Sequence, residues 1–235
     1  TWLNILGARG DFRSLREETA FIQPDCIPGV VCKALIEKIE KISEKDSHGR
    51  VWRDSVGSDT RILCFERDIE DLLKNFQIER KIKSIDSYLG KKTKSWFLMA
   101  NRVLPKENNL GSGGGLHRDS PFSHQVKCIW YLNDVDANNG PFQYVAGTHS
   151  NLIDQRRIYP LGKSRFSHVD AEIIEVHAKA GSLLVCDTKC IHGGKPIVSG
   201  VRYAITLYTF AKAKGMEEMF RKSGLDPKYA VQFHV

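Results

Sequence analysis

The sequence predicts a mainly β fold with flanking helices, and three observations carry that prediction. First, apolar residues between positions 96 and 210 fall in short runs, at 96–104, 125–133, 142–146, 171–177, 182–186 and 201–210. Gly, Pro and Asn separate these runs, which is the pattern of strands joined by turns. Second, helical periodicity is confined to the part before Gly90 and to a short stretch near the end. Third, two distant segments, 115–120 and 186–194, carry His117, Asp119 and His192. Two facing sheets of the jelly-roll or cupin type, a double-stranded β-helix, would bring all three to one mouth.

The elements follow in order. A length of 235 residues suits one sizeable core. We therefore expect a single domain: 1–95 as a helical N-terminal support, 96–210 as the β core and 211–235 as a tail. Ala20-Phe21-Ile22 reads as a short strand. Residues 27–44 read as a helix, with Pro28 in its first turn and Leu35, Ile39 and Ile42 on one face. Residues 45–61 are polar and form a long loop or hairpin, from which Trp52, with His48, Arg50 and Arg53, could reach a substrate; a plain surface loop is the other reading. Residues 67–89 read as one helix, with Ile69, Leu72, Leu73, Phe76, Ile82, Ile85 and Leu89 near one face and Gly90 as its stop.

Residues 111–115 are glycine-rich, but no Gly-Lys-Ser/Thr and no helix follow, which excludes a phosphate loop. A hinge that delivers His117 fits better. Residues 151–168 form a long insertion bearing Arg156, Arg157, Lys163 and Arg165 with Tyr159 and Phe166. It reads as a lid over a substrate or as a packed connector. Residues 216–222 carry a short helix signal.

The chemistry lies in the two distant segments. Two imidazoles and one carboxylate on one face of a metal, with other positions open, suit non-haem Fe(II) oxygen chemistry. Residues two apart on a strand point the same way, so His117 and Asp119 can reach one ion. His192 lies in a glycine-bounded turn after an apolar strand. A lone His-x-Asp is a weak signal, because a surface histidine beside a solvated aspartate looks the same. Three further segments strengthen it: Asn139-Gly140-Pro141 through His149-Ser150, Ala180-Gly181-Ser182 through Asp187, and a strand opened by Arg202.

In this order the segments resemble the phytanoyl-CoA dioxygenase-like branch of Fe(II)/2-oxoglutarate oxygenases, over about residues 96–210. The resemblance implies that His117, Asp119 and His192 ligate iron and that Arg202 pairs with the distal carboxylate of 2-oxoglutarate. A guanidinium fork matches a carboxylate in two-point fashion, which agrees. It also implies consumption of O2, release of succinate and CO2, and oxidation of a substrate C–H bond. Related halogenases carry a small residue in place of the aspartate, so Asp119 points to hydroxylation rather than halogenation, with desaturation, epimerisation and ring closure left open. Many members carry a small hydroxyl residue two after the arginine, where this chain has Ala204. Asn101 or Thr206 could supply the missing hydrogen bond. His124 could face the substrate; His149 and His177 are not expected to be ligands. Asp187 could orient a ligand or cap a turn. Trp130 and Tyr131 are adjacent on a strand, so one faces in and one out.

Composition narrows the partners. No run approaches the roughly 18 apolar residues of a membrane helix, and no signal peptide is evident at the start. Six cysteines form no C-x-x-C pair or zinc pattern, which reads as a reducing, cytoplasmic setting. The net charge is +7 and the pI about 9.1. The basic residues are scattered among acids without an aromatic platform, so a small polar or anionic substrate, or equally a merely solvated basic surface, explains the charge better than nucleic acid. The alternative function is a redox-silent cupin-like metal- or small-molecule-binding module, against which Arg202 argues. Oligomeric state is not legible.

Overall fold

A computed structural model of the chain describes residues 12–45, 49–119, 125–149, 165–212, 215–230 and 233–234. Its helices are α1 (Leu15–Glu18), α2 (Gly29–Glu44), α3 (Ile78–Leu89) and α4 (Gly215–Lys222). Its strands are β1 (Ala20–Gln23), β2 (Val51–Arg53), β3 (Asp59–Ile62), β4 (Ser95–Val103), β5 (Leu116–His117), β6 (Val126–Tyr131), β7 (Phe142–Tyr144), β8 (Arg165–Phe166), β9 (Ile174–Val176), β10 (Leu183–Asp187), β11 (His192–Gly194), β12 (Arg202–Phe210) and β13 (Phe233–His234).

Two antiparallel sheets result, as expected for a double-stranded β-helix. The major sheet runs β1-β10-β6-β12-β4-β3-β2, with β13 also against β4; the minor sheet runs β8-β5-β11-β7-β9. Besides the expected helices, the first 95 residues supply β1, β2 and β3 to the major sheet. The polar stretch after α2 is thus a hairpin. Asp54 Oδ1 accepts from the backbone N–H groups of Ser58 (2.7 Å) and Asp59 (3.1 Å) and closes its turn.

Strand alternation gives the major sheet two different faces. On the outer face, Val126, Cys128 and Trp130 of β6, Ile205 and Leu207 of β12, and Leu98 and Ala100 of β4 pack against the helices. Leu35 and Ile39 of α2 and Ile82 and Ile85 of α3 cover them. The inner face turns Lys127, Ile129, Tyr131, Asn101, Arg202 and Thr206 toward a cavity between the sheets. Trp130 and Tyr131 divide in this way, and both are buried, at 1% exposure each.

The single helix expected over 67–89 is instead two 3-10 turns, Phe65–Asp68 and Leu73–Phe76, followed by α3. The reason is phase. Phe65, Ile69 and Phe76 share one helical face, whereas Ile78, Ile82 and Ile85 lie roughly half a turn away on a continuous helix. Gln77 in the left-handed region (φ 49°) resets the phase, so both apolar sets reach the core. Gly90 ends α3 with φ 63°, as expected. Among the described residues no helix is long and apolar enough to cross a membrane.

Candidate metal centre and cavity

The sheet register assembles the centre. His192 of β11 stands directly opposite His117 of β5, which places their ring centroids 4.5 Å apart. Asp119 follows just after β5, where its N–H donates to Thr188 O at 3.2 Å. Its Oδ1 lies 3.7 Å from His117 Nε2 and 3.9 Å from His192 Nε2. One donor atom from each of the three residues falls within 4.8 Å of the others.

Both imidazoles are held in the tautomer a metal requires. His117 Nδ1 donates to Gly115 O at 2.8 Å, and His192 Nδ1 donates to Cys190 O at 3.0 Å. Each Nε2 lone pair therefore points into the centre. Burial lowers the pKa of His117 and pushes that of His192 down to about 3, so both rings are neutral at pH 7. Burial works against the charge on Asp119, but Lys127 beside it holds the carboxyl below its usual range. The same pair keeps Lys127 charged, with a raised pKa, although burial alone would lower it.

The glycine-rich segment is a packed turn rather than the expected hinge. Gly114 N–H donates to Gly111 O at 2.9 Å, and Gly194 N–H donates to Ser112 O at 2.8 Å. Arg165 Nη1 donates to Gly113 O (2.8 Å) and Gly114 O (2.7 Å). A Cβ on Gly113 would sit 2.4 Å from His117 Cε1, so the close approach to the imidazole needs glycine.

Arg202 opens β12 at the deep end of the same cavity and is 5% exposed. Nη1 donates to Gly140 O, and Nη2 donates to Asn101 Oδ1 at 3.1 Å. Asn101 Nδ2 in turn donates to Asp59, so Asn101 is committed to orienting the guanidinium. Nε is buried without a hydrogen-bond partner among the described residues. A buried cation with an unused donor fits an incoming carboxylate. Thr206 lines the cavity two inward-facing positions along β12.

The cavity holds about 610 Å³, enough for a dicarboxylate and a second small molecule. Trp52 is not on its wall; Arg61 is, with its guanidinium 4.8 Å above the Trp52 ring. His124, Arg156 and Arg157 lie outside the described residues, as does most of the expected lid. His149 is buried and structural: Thr19 Oγ1 lies 2.9 Å from its Nδ1, and Arg16 O lies 3.3 Å from its Nε2. His177 is at the surface beside Glu175. Asp187 caps its turn through Lys189 N–H (3.0 Å) and accepts from the Tyr88 hydroxyl (2.7 Å).

Sequence reasoning missed Lys127, Arg61 and the cavity role of Tyr131. The signal for Lys127 was present, as the one charge inside the apolar run 126–131. Tyr131 stands opposite Ala204 in the register, and its oxygen accepts from Phe142 N–H at 3.3 Å.

Comparison with known proteins agrees with this geometry. The non-haem α-ketoglutarate-dependent epimerase SnoN of nogalamycin biosynthesis superimposes with a TM-score of 0.64 at 15% identity, over 88% of this chain and 82% of that one. The carbocyclase SnoK of the same biosynthesis gives 0.62 at 17% identity, over 84% and 81%. HygX from Streptomyces hygroscopicus, with nickel and 2-oxoglutarate bound, gives 0.58 at 14% identity, over 87% and 84%. At identities this low, the superpositions show a shared fold alone. No curated protein matches the sequence. The family model described as phytanoyl-CoA dioxygenase (PhyH) matches residues 21–203, most of the chain, and the protein therefore belongs to the phytanoyl-CoA dioxygenase family.

Proposed function

We propose that this protein is a non-haem Fe(II)/2-oxoglutarate-dependent dioxygenase that hydroxylates a small anionic molecule and releases succinate and CO2. The observation that carries this reading is the convergence of His117, Asp119 and His192 in one cavity with the buried Arg202, which pairs with no carboxylate among the described residues. Bound iron, with 2-oxoglutarate and O2, would supply the oxidising power for a C–H bond. The two Nε2 atoms and Asp119 Oδ1 would hold the metal from one side and leave the other side open. Asp119 occupies the position that halogenases leave to a small residue, which supports hydroxylation over halogenation.

Arg202, oriented by Asn101, would pair with the distal carboxylate of 2-oxoglutarate. Tyr131 is the better candidate than Thr206 for the hydroxyl that Ala204 lacks. It is directly opposite Ala204, and its oxygen accepts from Phe142 N–H, which leaves its own proton to donate. Phe142, stacked 5.5 Å from His192, helps exclude water from the metal side.

The test is an anaerobic titration with Fe(II) and 2-oxoglutarate, read by the weak visible charge-transfer band of the chelate. His117→Ala should abolish the band. Arg202→Ala should need at least about tenfold more 2-oxoglutarate. Tyr131→Phe should need several-fold more, and adding Ala204→Ser should restore part of the loss. Metal binding without a band would overturn the proposal in favour of a redox-silent cupin-like module.

A further inference from the structure

On the inner wall of the cavity each cationic side chain is already engaged. Arg61 pairs with Asp59 at 2.7 Å and Lys127 with Asp119 at 2.5 Å. Arg202 is reserved for the distal carboxylate of the cosubstrate. The outer end is different. Lys91, Lys92, Lys212 and Lys222 all line the cavity, and all four are exposed. Apart from Asp119 at the metal centre, Glu218 is the one carboxylate among the described lining residues. None of the four lysines has an ion-pair partner among the described residues.

These lysines come from two parts of the chain, the turn after α3 and the stretch from the end of β12 through α4. Their backbone is fixed. Asp86 Oδ1 accepts from Thr93 N–H at 2.9 Å and from its hydroxyl at 2.6 Å. Lys94 N–H donates to Phe210 O at 2.8 Å, and Ser95 Oγ donates to Lys212 O at 3.1 Å. Met216 and Phe220, both fully buried, anchor α4.

Four like charges gathered at one opening repel one another and concentrate anions there. The cluster is all lysine. Ammonium groups act as compact point charges that can approach an anion from several sides, and four of them match a doubly charged group better than a single carboxylate. A phosphoryl group, with a charge of about −2 spread over three oxygens, suits such a rim. We propose that Lys91, Lys92, Lys212 and Lys222 form a phosphoryl subsite, so that the substrate is a phosphorylated small molecule whose remainder extends inward to the metal centre. The link to oxidation rests on the oxygenase reading above; the subsite itself does not.

The test is calorimetric titration of the Ni(II)- and 2-oxoglutarate-loaded protein with inorganic phosphate and with phenyl phosphate at fixed ionic strength. Inorganic phosphate probes the rim alone, and phenyl phosphate adds a group that enters the cavity and should bind more tightly. The fourfold variant K91Q/K92Q/K212Q/K222Q should lose about tenfold or more in affinity for both. The control K33Q/K41Q/K74Q/K83Q removes the same charge from exposed positions off the cavity wall and should stay within about twofold of the parent. No binding by the parent, an unchanged fourfold variant, or an equal loss in the control would each overturn the proposal. A parent that binds phosphate but gives no Fe(II)/2-oxoglutarate band would sink the oxygenase reading and leave the subsite standing.

Discussion

Lys127 Nζ lies 2.5 Å from Asp119 Oδ2, so the carboxylate offers its other oxygen, Oδ1, to the two imidazoles. The lysine compensates a carboxylate that is only 20% exposed. Lys127→Met should leave that charge unpaired and destabilise the metal-free protein by about 3 kcal/mol. A bound divalent ion takes over the compensation, so Ni(II) should raise the melting temperature of the variant more than that of the parent. Equal shifts in the two proteins would show that the lysine does not serve Asp119.

Gly113 presses on His117. Gly113→Ala puts a methyl 2.4 Å from the ring's Cε1 on a backbone with φ +91°. The ring must move, and metal affinity should fall at least about tenfold. Gly147→Ala is the matched control. It also has a positive φ (+74°), but a Cβ there meets nothing within 4 Å. Metal competition titrations of the two variants separate displacement of the ligand from backbone strain.

Glu66 sets a pH dependence away from the centre. It is 1% exposed, Oε2 accepts from Leu98 N–H at 2.8 Å, and Oε1 has no partner among the described residues. Burial pushes its pKa from 4.5 up to about 7. A carboxyl raised on folding stabilises fully below the unfolded value, and that contribution is lost as pH rises through the folded one. Glu66→Gln should therefore match the parent near pH 4 and exceed it at pH 8 by about 3 kcal/mol. Melting curves at the two pH values check the sign; a variant less stable at pH 8 would refute it.

The β core was legible because its apolar runs are short and punctuated, and the triad was legible because His117, Asp119 and His192 sit in segments of characteristic order. Two things were hidden. The break at Gln77 required following the phase of the apolar stripe from Phe76 to Ile78, which counting apolar residues on one face does not reveal. The partnership of Lys127 with Asp119 depends on where β6 lies beside β5 and β11 in three dimensions. Spacing along the chain carries no trace of it. Trp52 fell off the cavity wall for the same reason: β2 is an edge strand, and Arg61 on β3 takes the inner position.

The alternation along β6 has a wider consequence. Val126, Cys128 and Trp130 belong to the helix-side core, while Lys127, Ile129 and Tyr131 belong to the cavity wall. Neighbouring codons thus answer to separate demands, one set for holding the scaffold and the next for choosing what is held. Outside Lys127 and Tyr131, which serve the metal centre and its cosubstrate, the wall can change without touching the layer beneath it. That independence makes this scaffold easy to retool, by mutation or by design, toward ligands of different shape.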